Sequence, residues 1–237
     1  MFKLIKRIFL ILLILICVIG SIVFLNGYGL YQSVLEKQSL SSKIEEIRAD
    51  ENYIKIEDLP KYYTQAVVSV EDHRFYDHGG IDIISIGRAV VSNIRQRDMA
   101  EGGSTITQQV AKNLYFITED DVINRKIAEM IMAFNLEKNY SKEDILEFYV
   151  NTIYFGDGYY GIAEASRGYL DKEPKDMNFY DSTLLAGVPN APSVYAPTNN
   201  MDLALNRQQK VIRSMVEYTD LTKEDADKLF METKPKE

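Results

Sequence analysis

The sequence predicts a mainly α fold behind one N-terminal transmembrane helix. Three observations carry that prediction. An uncharged run from Ile8 to Leu25 is long enough to cross a bilayer. Beyond it, apolar residues recur at helical spacing between recognisable cap signatures. Sustained period-two alternation, the mark of half-buried strands, is scarce.

In chain order, residues 1–7 form a short flank bearing Lys3, Lys6 and Arg7, and residues 8–25 form the span. At about 1.5 Å per residue such a run covers most of a hydrocarbon core roughly 30 Å thick. Gly20 and Ser21 are small, yet more apolar residues follow them. That favours a retained anchor over a cleaved signal peptide. The basic residues precede the span, so the positive-inside rule leaves the N-terminus in the cytoplasm and everything after Leu25 outside.

Residues 26–51 read as a juxtamembrane stalk with helical spacing after Tyr31, and residues 52–237 as one domain. Asp58 and Pro60 open a helix that runs toward Glu71. A second helix is predicted over Ile83–Ile94, followed by a loop over 96–103 and a helix opening at Ser104. Ile123, Ile127, Met130, Ile131 and Phe134 mark the buried face of a helix over Val122–Leu136. Ser141 to Asp144 form a capped start, and the glycines at 156, 158 and 161 end that helix. Helices over Ile162–Leu170 and Tyr180–Gly187, a proline-bearing stretch over Pro189–Pro197 and two small polar helices within Met201–Phe230 complete the chain.

The chain holds 27 Lys and Arg against 35 Asp and Glu, a net charge of −8. Three of those cations sit on the flank before the span, so the external portion is more acidic still. Such a body excludes general nucleic-acid binding, and an anionic substrate would need a local cluster of cations. The only cysteine, Cys17, lies in the span, so no disulfide is expected outside.

The stretch Glu71-Asp72-His73-Arg74-Phe75-Tyr76-Asp77-His78-Gly79-Gly80-Ile81-Asp82 holds four carboxylates and both histidines. Glu71 arrives directly from the apolar run Ala66–Val70. A carboxylate so placed is partly buried, and burial raises its pKa toward acid/base duty. Read alone, the stretch is equally a polar loop with two solvated histidines. Gly102-Gly103-Ser104-Thr105-Ile106-Thr107-Gln108-Gln109 leads glycines into hydroxyls and amides at a helix start, where free N–H groups favour anions. Arg125 and Glu129 share a helix face at i, i+4, which alone is an ordinary ion pair.

Order and spacing together give these segments a family likeness. The chain resembles the peptidoglycan glycosyltransferases of glycosyltransferase family 51 in Glu71–Gly79, Gly103–Gln109, Arg125–Glu129 and Ile145-Leu146-Glu147-Phe148-Tyr149-Val150-Asn151, with a fifth likeness in Gly161–Leu170, Leu184–Gly187 and Ala191–Ser193. The resemblance implies a lysozyme-like helical glycosyltransferase domain with an apolar, membrane-proximal jaw around Ile81–Ile94. It implies polymerisation of glycan from lipid II into β-1,4 linkages with inversion and release of polyprenyl diphosphate.

By the same resemblance Glu71 is the general base and Glu129 the second functional glutamate. Lys112, Arg125 and Lys126 then hold the pyrophosphate, with Ser104, Thr107, Gln108 and Gln109 as hydrogen-bonding supports. Asp72, Arg74, Phe75, His78, Gly79, Glu147 and Asn151 shape the cleft. The implied partners are lipid II, the growing lipid-linked glycan, the bilayer of a bacterial cell membrane and other cell-wall synthesis or division proteins. The chemistry admits a divalent cation, Mg or Mn, and no ligand set for one is assigned. Two departures stand out. Asp121 occupies a position, four before Arg125, that is basic in many members. The sequence stops at Glu237 without a Ser-x-x-Lys tetrad, so a monofunctional polymerase is expected rather than a penicillin-binding transpeptidase. The competing readings are a lytic muramidase with a buried Glu and a catalytically silent membrane-tethered partner.

Overall fold

The computed structural model describes residues 2–88 and 103–235. Helix α1 (Phe2–Lys37) runs without a break through the apolar span and well into the expected stalk. Nothing in Asn26–Lys37 interrupts helical hydrogen bonding, and the first break comes at Ser39, which caps α2 (Leu40–Arg48) through its side chain. Leu40 and Ile44 of α2 are buried against the domain core.

Helix α3 (Lys61–Glu71) begins after Pro60 and buries Tyr63, Ala66 and Val67. Residues 83–88 form the described start of α4. The remainder of the helix expected to Ile94 and most of the 96–103 loop lie outside the described residues. Next comes α5 (Ile106–Ala111), which widens at once into a π-helical turn over Lys112–Phe116. Such widenings occur mostly at functional sites. Then follow α6 (Val122–Asn139) and α7 (Lys142–Thr152), each opened by a side-chain cap, from Asp121 and Ser141.

Helix α7 stops at Thr152 by itself, before any glycine. The glycines expected to terminate it instead build a hairpin, β1 (Tyr154–Gly156) against β2 (Tyr159–Tyr160) in antiparallel pairing. Its turn needs three successive positive φ values, at Gly156, Asp157 and Gly158, which only glycine and a few polar residues adopt readily. Helices α8 (Gly161–Leu170), α9 (Phe179–Gly187), α10 (Pro192–Tyr195), α11 (Met201–Tyr218) and α12 (Lys223–Thr233) complete the chain.

Two helix groups frame the site. Helices α3, α9 and α11 pack mutually, while α5 lies against α6 and α7. Tyr63, Phe75, Phe116, Phe148, Tyr149 and Phe155 are fully buried between them. Helix α6 departs from its expected orientation. Its core face is Ala128, Glu129, Met132, Ala133 and Leu136, whereas Ile123 and Phe134 are exposed. The sequence stripe is apolar for another reason: α6 flanks α1, and Ile127 abuts Gly27, the one buried residue of α1. Asn135 donates to the Tyr31 hydroxyl at 3.0 Å across the same seam.

Candidate active site

The site grows from the end of α3. Glu71 is its last residue, and its side chain is only 9 % exposed. Gln109 Nε2 donates to Oε2 at 2.9 Å. Oε1 accepts no hydrogen bond among the described residues, and the Arg207 guanidinium stands 3.5 Å from it. Burial pushes the Glu71 carboxyl up, outweighing the opposing pulls of Gln109, Arg207 and Lys210. One oxygen is therefore anchored while the other has no hydrogen-bond donor among the described residues.

The residues after Glu71 brace the cleft wall. Asp72 Oδ1 lies 2.8 Å from His78 Nε2, and Oδ2 accepts the Ile106 amide at 3.1 Å, tying the motif to the start of α5. Asp82 accepts from Arg74 Nε at 3.0 Å, Ser85 Oγ at 2.6 Å and the Ile84 amide at 2.9 Å. Burial raises its carboxyl, but these bonds prevail and hold it down at about 2. Phe75 is fully buried with the Lys142 ammonium 4.3 Å above its ring. Gly79 is exposed and has nothing near its missing Cβ, whereas a Cβ on Gly80 would meet the backbone of Ala133 and Phe134 at 2.8 and 3.0 Å. The close approach in this glycine pair falls at Gly80.

Asp72, His78 and Asp82 cluster closely enough to suggest a metal. Each of these carboxylate oxygens already has a partner in His78, Arg74, Ser85 or a backbone amide, and the Arg74 guanidinium 3.0 Å from Asp82 opposes a further cation, so the cluster is held together by its own contacts. His73 stacks on Tyr218 with ring centroids 4.0 Å apart.

The second wall is α5 and α6. Thr105, not Ser104, caps α5, in a reciprocal capping box with Gln108. Gln108 is thereby a structural partner of Thr105, whose hydroxyl also donates to the Gly80 carbonyl at 2.8 Å. Freed from capping, Ser104 accepts from Lys126 Nζ at 2.7 Å. Lys126 also contacts Glu129 Oε2 at 3.0 Å, while Arg125 Nε lies 3.3 Å from Oε1. Glu129 is buried and bridges two cations, which fixes both heads at the cleft. Lys112 is exposed on the π turn with no partner among the described residues. Asp121 caps α6 by accepting the Ile123 and Asn124 amides, so an acidic residue there serves the helix start.

Glu71, Asp72, Ser104, Gln108, Gln109, Lys112, Arg125, Lys126 and Glu129 line one cleft of about 770 Å³. Arg74, Phe75, His78 and Gly79 are not among its lining residues, and Arg74 and His78 touch it only through Asp82 and Asp72. Three expected site residues are elsewhere. Thr107 is fully buried and donates to Glu137 at 2.6 Å. Glu147 accepts the Tyr53 hydroxyl at 2.5 Å and the Ile56 amide at 2.9 Å. Asn151 clasps both the amide and the carbonyl of Ile54 at 2.8 Å. These last two fasten the incoming segment to α7 and do not face the cleft.

The sequence reading missed Arg207, Lys210 and Asn113, all of which line the cleft. The signal for Arg207 was present: Ala204, Val211 and Met215 keep helical spacing on one face, and Arg207 and Gln208 interrupt that face. A cation on a buried stripe needs a partner, and Glu71 is that partner.

A buried carboxylate with one oxygen left without a hydrogen-bond donor among the described residues shares a cleft with Lys112, Arg125 and Lys126, on a helical body with an apolar N-terminal helix. Residues 37–216 match the family described as Transglycosylase, and the chain belongs to that family. It is 41% identical over 232 residues to penicillin-binding protein 1F of Bacillus subtilis (strain 168), covering 91% of this chain and 32% of that protein. It is 41% identical over 180 residues to penicillin-binding protein 1A of Neisseria flavescens, covering 76% of this chain and 22% of that one. The chain thus spans a third or less of these relatives. The crystal structure of penicillin-binding protein 1A from Haemophilus influenzae aligns over 77% of this chain and 18% of that one, with a TM-score of 0.44 and 19% identity, too slight a likeness to add to the argument.

Proposed function

We propose that this chain is a peptidoglycan glycosyltransferase that extends glycan strands from lipid II at the outer face of a bacterial cell membrane. The observation that carries the reading is the shared cleft: Glu71 with a free oxygen on one wall and Lys112, Arg125 and Lys126 on the other. In the step proposed, the 4-hydroxyl of the acceptor sugar attacks the anomeric carbon of the donor. A β-1,4 bond forms, the bond to the diphosphate breaks with inversion, and the hydroxyl proton passes to Glu71 Oε1. The polyprenyl diphosphate leaves with its electron pair and needs charge stabilisation more than protonation.

Lys112 is the mobile phosphate contact and the Glu129-clamped pair Arg125 and Lys126 the fixed one, which compensates for the acidic Asp121. Among the described residues, α1 is the one helix long and apolar enough to cross a membrane. With Lys3, Lys6 and Arg7 before the span, its N-terminus is placed in the cytoplasm and the domain outside. A lytic muramidase would have little use for three cations beside its carboxyl, since a neutral glycosidic bond yields no anionic leaving group.

Purified protein in bilayers, given labelled lipid-linked disaccharide-peptide, should yield long glycan on gels. Glu71→Gln should lower the rate by about 10²- to 10⁴-fold with the melting midpoint preserved. Shortening of finished glycan without any polymer would overturn the reading.

A further inference from the structure

The mechanism above leaves one buried cation without a task. Arg207 comes from α11, in the polar tail, and its side chain is only 7 % exposed. Its Nε donates to the Gly187 carbonyl at 3.3 Å, and its guanidinium carbon lies 5.9 Å from the Tyr195 ring. These contacts aim Nη2 at the one Glu71 oxygen that accepts no hydrogen bond, at 3.5 Å. The distance is longer than a made hydrogen bond yet close enough for a strong Coulomb interaction at a buried site. Gly187 belongs to the same device, because a Cβ there would meet Arg207 Cγ at 2.9 Å.

We propose that Arg207 is a positioning residue for Glu71, held by Gly187 so that its charge keeps the carboxylate ionised with Oε1 open to the acceptor hydroxyl. The inference rests on Glu71 being the base. It adds the reason why this buried glutamate accepts a proton rather than donating one, as a hydrolase acid would. A bonded guanidinium would occupy the lone pair, and no guanidinium would leave burial to protonate it. The groups facing Glu71 from every packed element agree. Tyr63 on α3 and Tyr149 on α7 are uncharged phenols whose ionisation burial opposes, Gln109 on α5 is neutral, and Asp72 is the one neighbouring anion. Among the described residues the cations acting on Glu71 come from α11, Arg207 and, further off, Lys210.

The sign follows directly. Removing the cation favours the protonated carboxyl, so a larger share of the enzyme lacks its base at a given pH, and activity is lost at higher pH. The experiment compares the parent with Arg207→Met, Arg207→Lys and Gly187→Ala, using the pH profile of kcat/KM for lipid-linked precursor. It also follows infrared titration of the Glu71 carboxyl in substrate-free protein, the band being identified by its loss in Glu71→Gln. Arg207→Met should move both the acid limb and the infrared midpoint up by at least about one pH unit. Arg207→Lys should reverse most of that movement, and Gly187→Ala, which displaces Arg207 without changing it or Glu71, should move both in the same direction as Arg207→Met. A purely structural Arg207 would lower the melting midpoint and leave the infrared midpoint unmoved in folded Arg207→Met and Gly187→Ala, which overturns the proposal. Absence of polymer from the parent sinks the functional reading by itself, and the infrared midpoint still decides Arg207.

Discussion

Gly27 is where the apolar helix α1 meets α6, and its replacement tests whether α1 is more than a tether. A Cβ at this position would lie 2.5 Å from Ile127 Cβ, 2.6 Å from its Cγ2 and 3.1 Å from the Asn124 carbonyl oxygen. Carbon atoms in contact need about 3.5–4.0 Å, so Gly27→Val must drive α1 and α6 apart by roughly 1 Å. Overpacking of this kind costs about 1–3 kcal/mol, and the shift also threatens the Tyr31–Asn135 hydrogen bond. Gly27 and Ile127 are not core residues, so the cost falls first on their seam, while Leu30, Val34 and Leu35 of α1 keep their packing on the core. The docked population of α1 should therefore fall by about 5- to 150-fold relative to undocked forms. Cys17, the only cysteine and exposed on α1, supplies one spin-label site, and Lys138→Cys on the exposed end of α6 supplies the other. In lipid nanodiscs the parent should give a narrow distance distribution and Gly27→Val a broad one, with the melting midpoint of the domain little changed. An unchanged narrow distribution would refute the reasoning, because the overlap would have been absorbed without separating the helices.

Three further outcomes are expected. Gly80→Ala, which sets a methyl group against the backbone of α6, should destabilise the domain by about 1–3 kcal/mol in chemical denaturation, while Gly79→Ala should have no measurable effect. Lys112→Ala should lower the polymerisation rate at limiting precursor by about 10- to 100-fold with a much smaller change at saturation, and equal losses at both would contradict its binding role. Asn151→Ala strips partners from the Ile54 amide and carbonyl. It should cost about 2 kcal/mol or more of stability, with activity per folded molecule retained in an initial-rate assay.

The helical class, the apolar span, the caps at Ser141 and Asp121 and the burial of Glu71 were legible in the sequence because each rests on local chemistry: run length, spacing, a cap residue, an apolar approach. The order of the motifs was likewise enough to point to the family. Which face each motif presents was not legible. Thr107 and Gln109 stand two residues apart on one helix start, yet one turns inward to Glu137 and the other to Glu71. Glu147 and Asn151 have the polarity of site residues and serve a backbone clasp, because the Ile54 segment happens to cross α7 there.

What the sequence determined by itself is therefore the inventory: one membrane-length helix, a chain of capped helices, one carboxylate delivered from an apolar run and a few cations in an acidic body. Tertiary structure decided the assignments. It set Ile127 of α6 against Gly27 of α1, put a close backbone approach at Gly80, and brought Arg207 from the polar tail to Glu71. The physical reason is range. Helix and cap formation are decided within a few residues, but a buried charge takes its partner from whichever helix the packing of α3, α9 and α11 places beside it, here one 136 residues further along the chain.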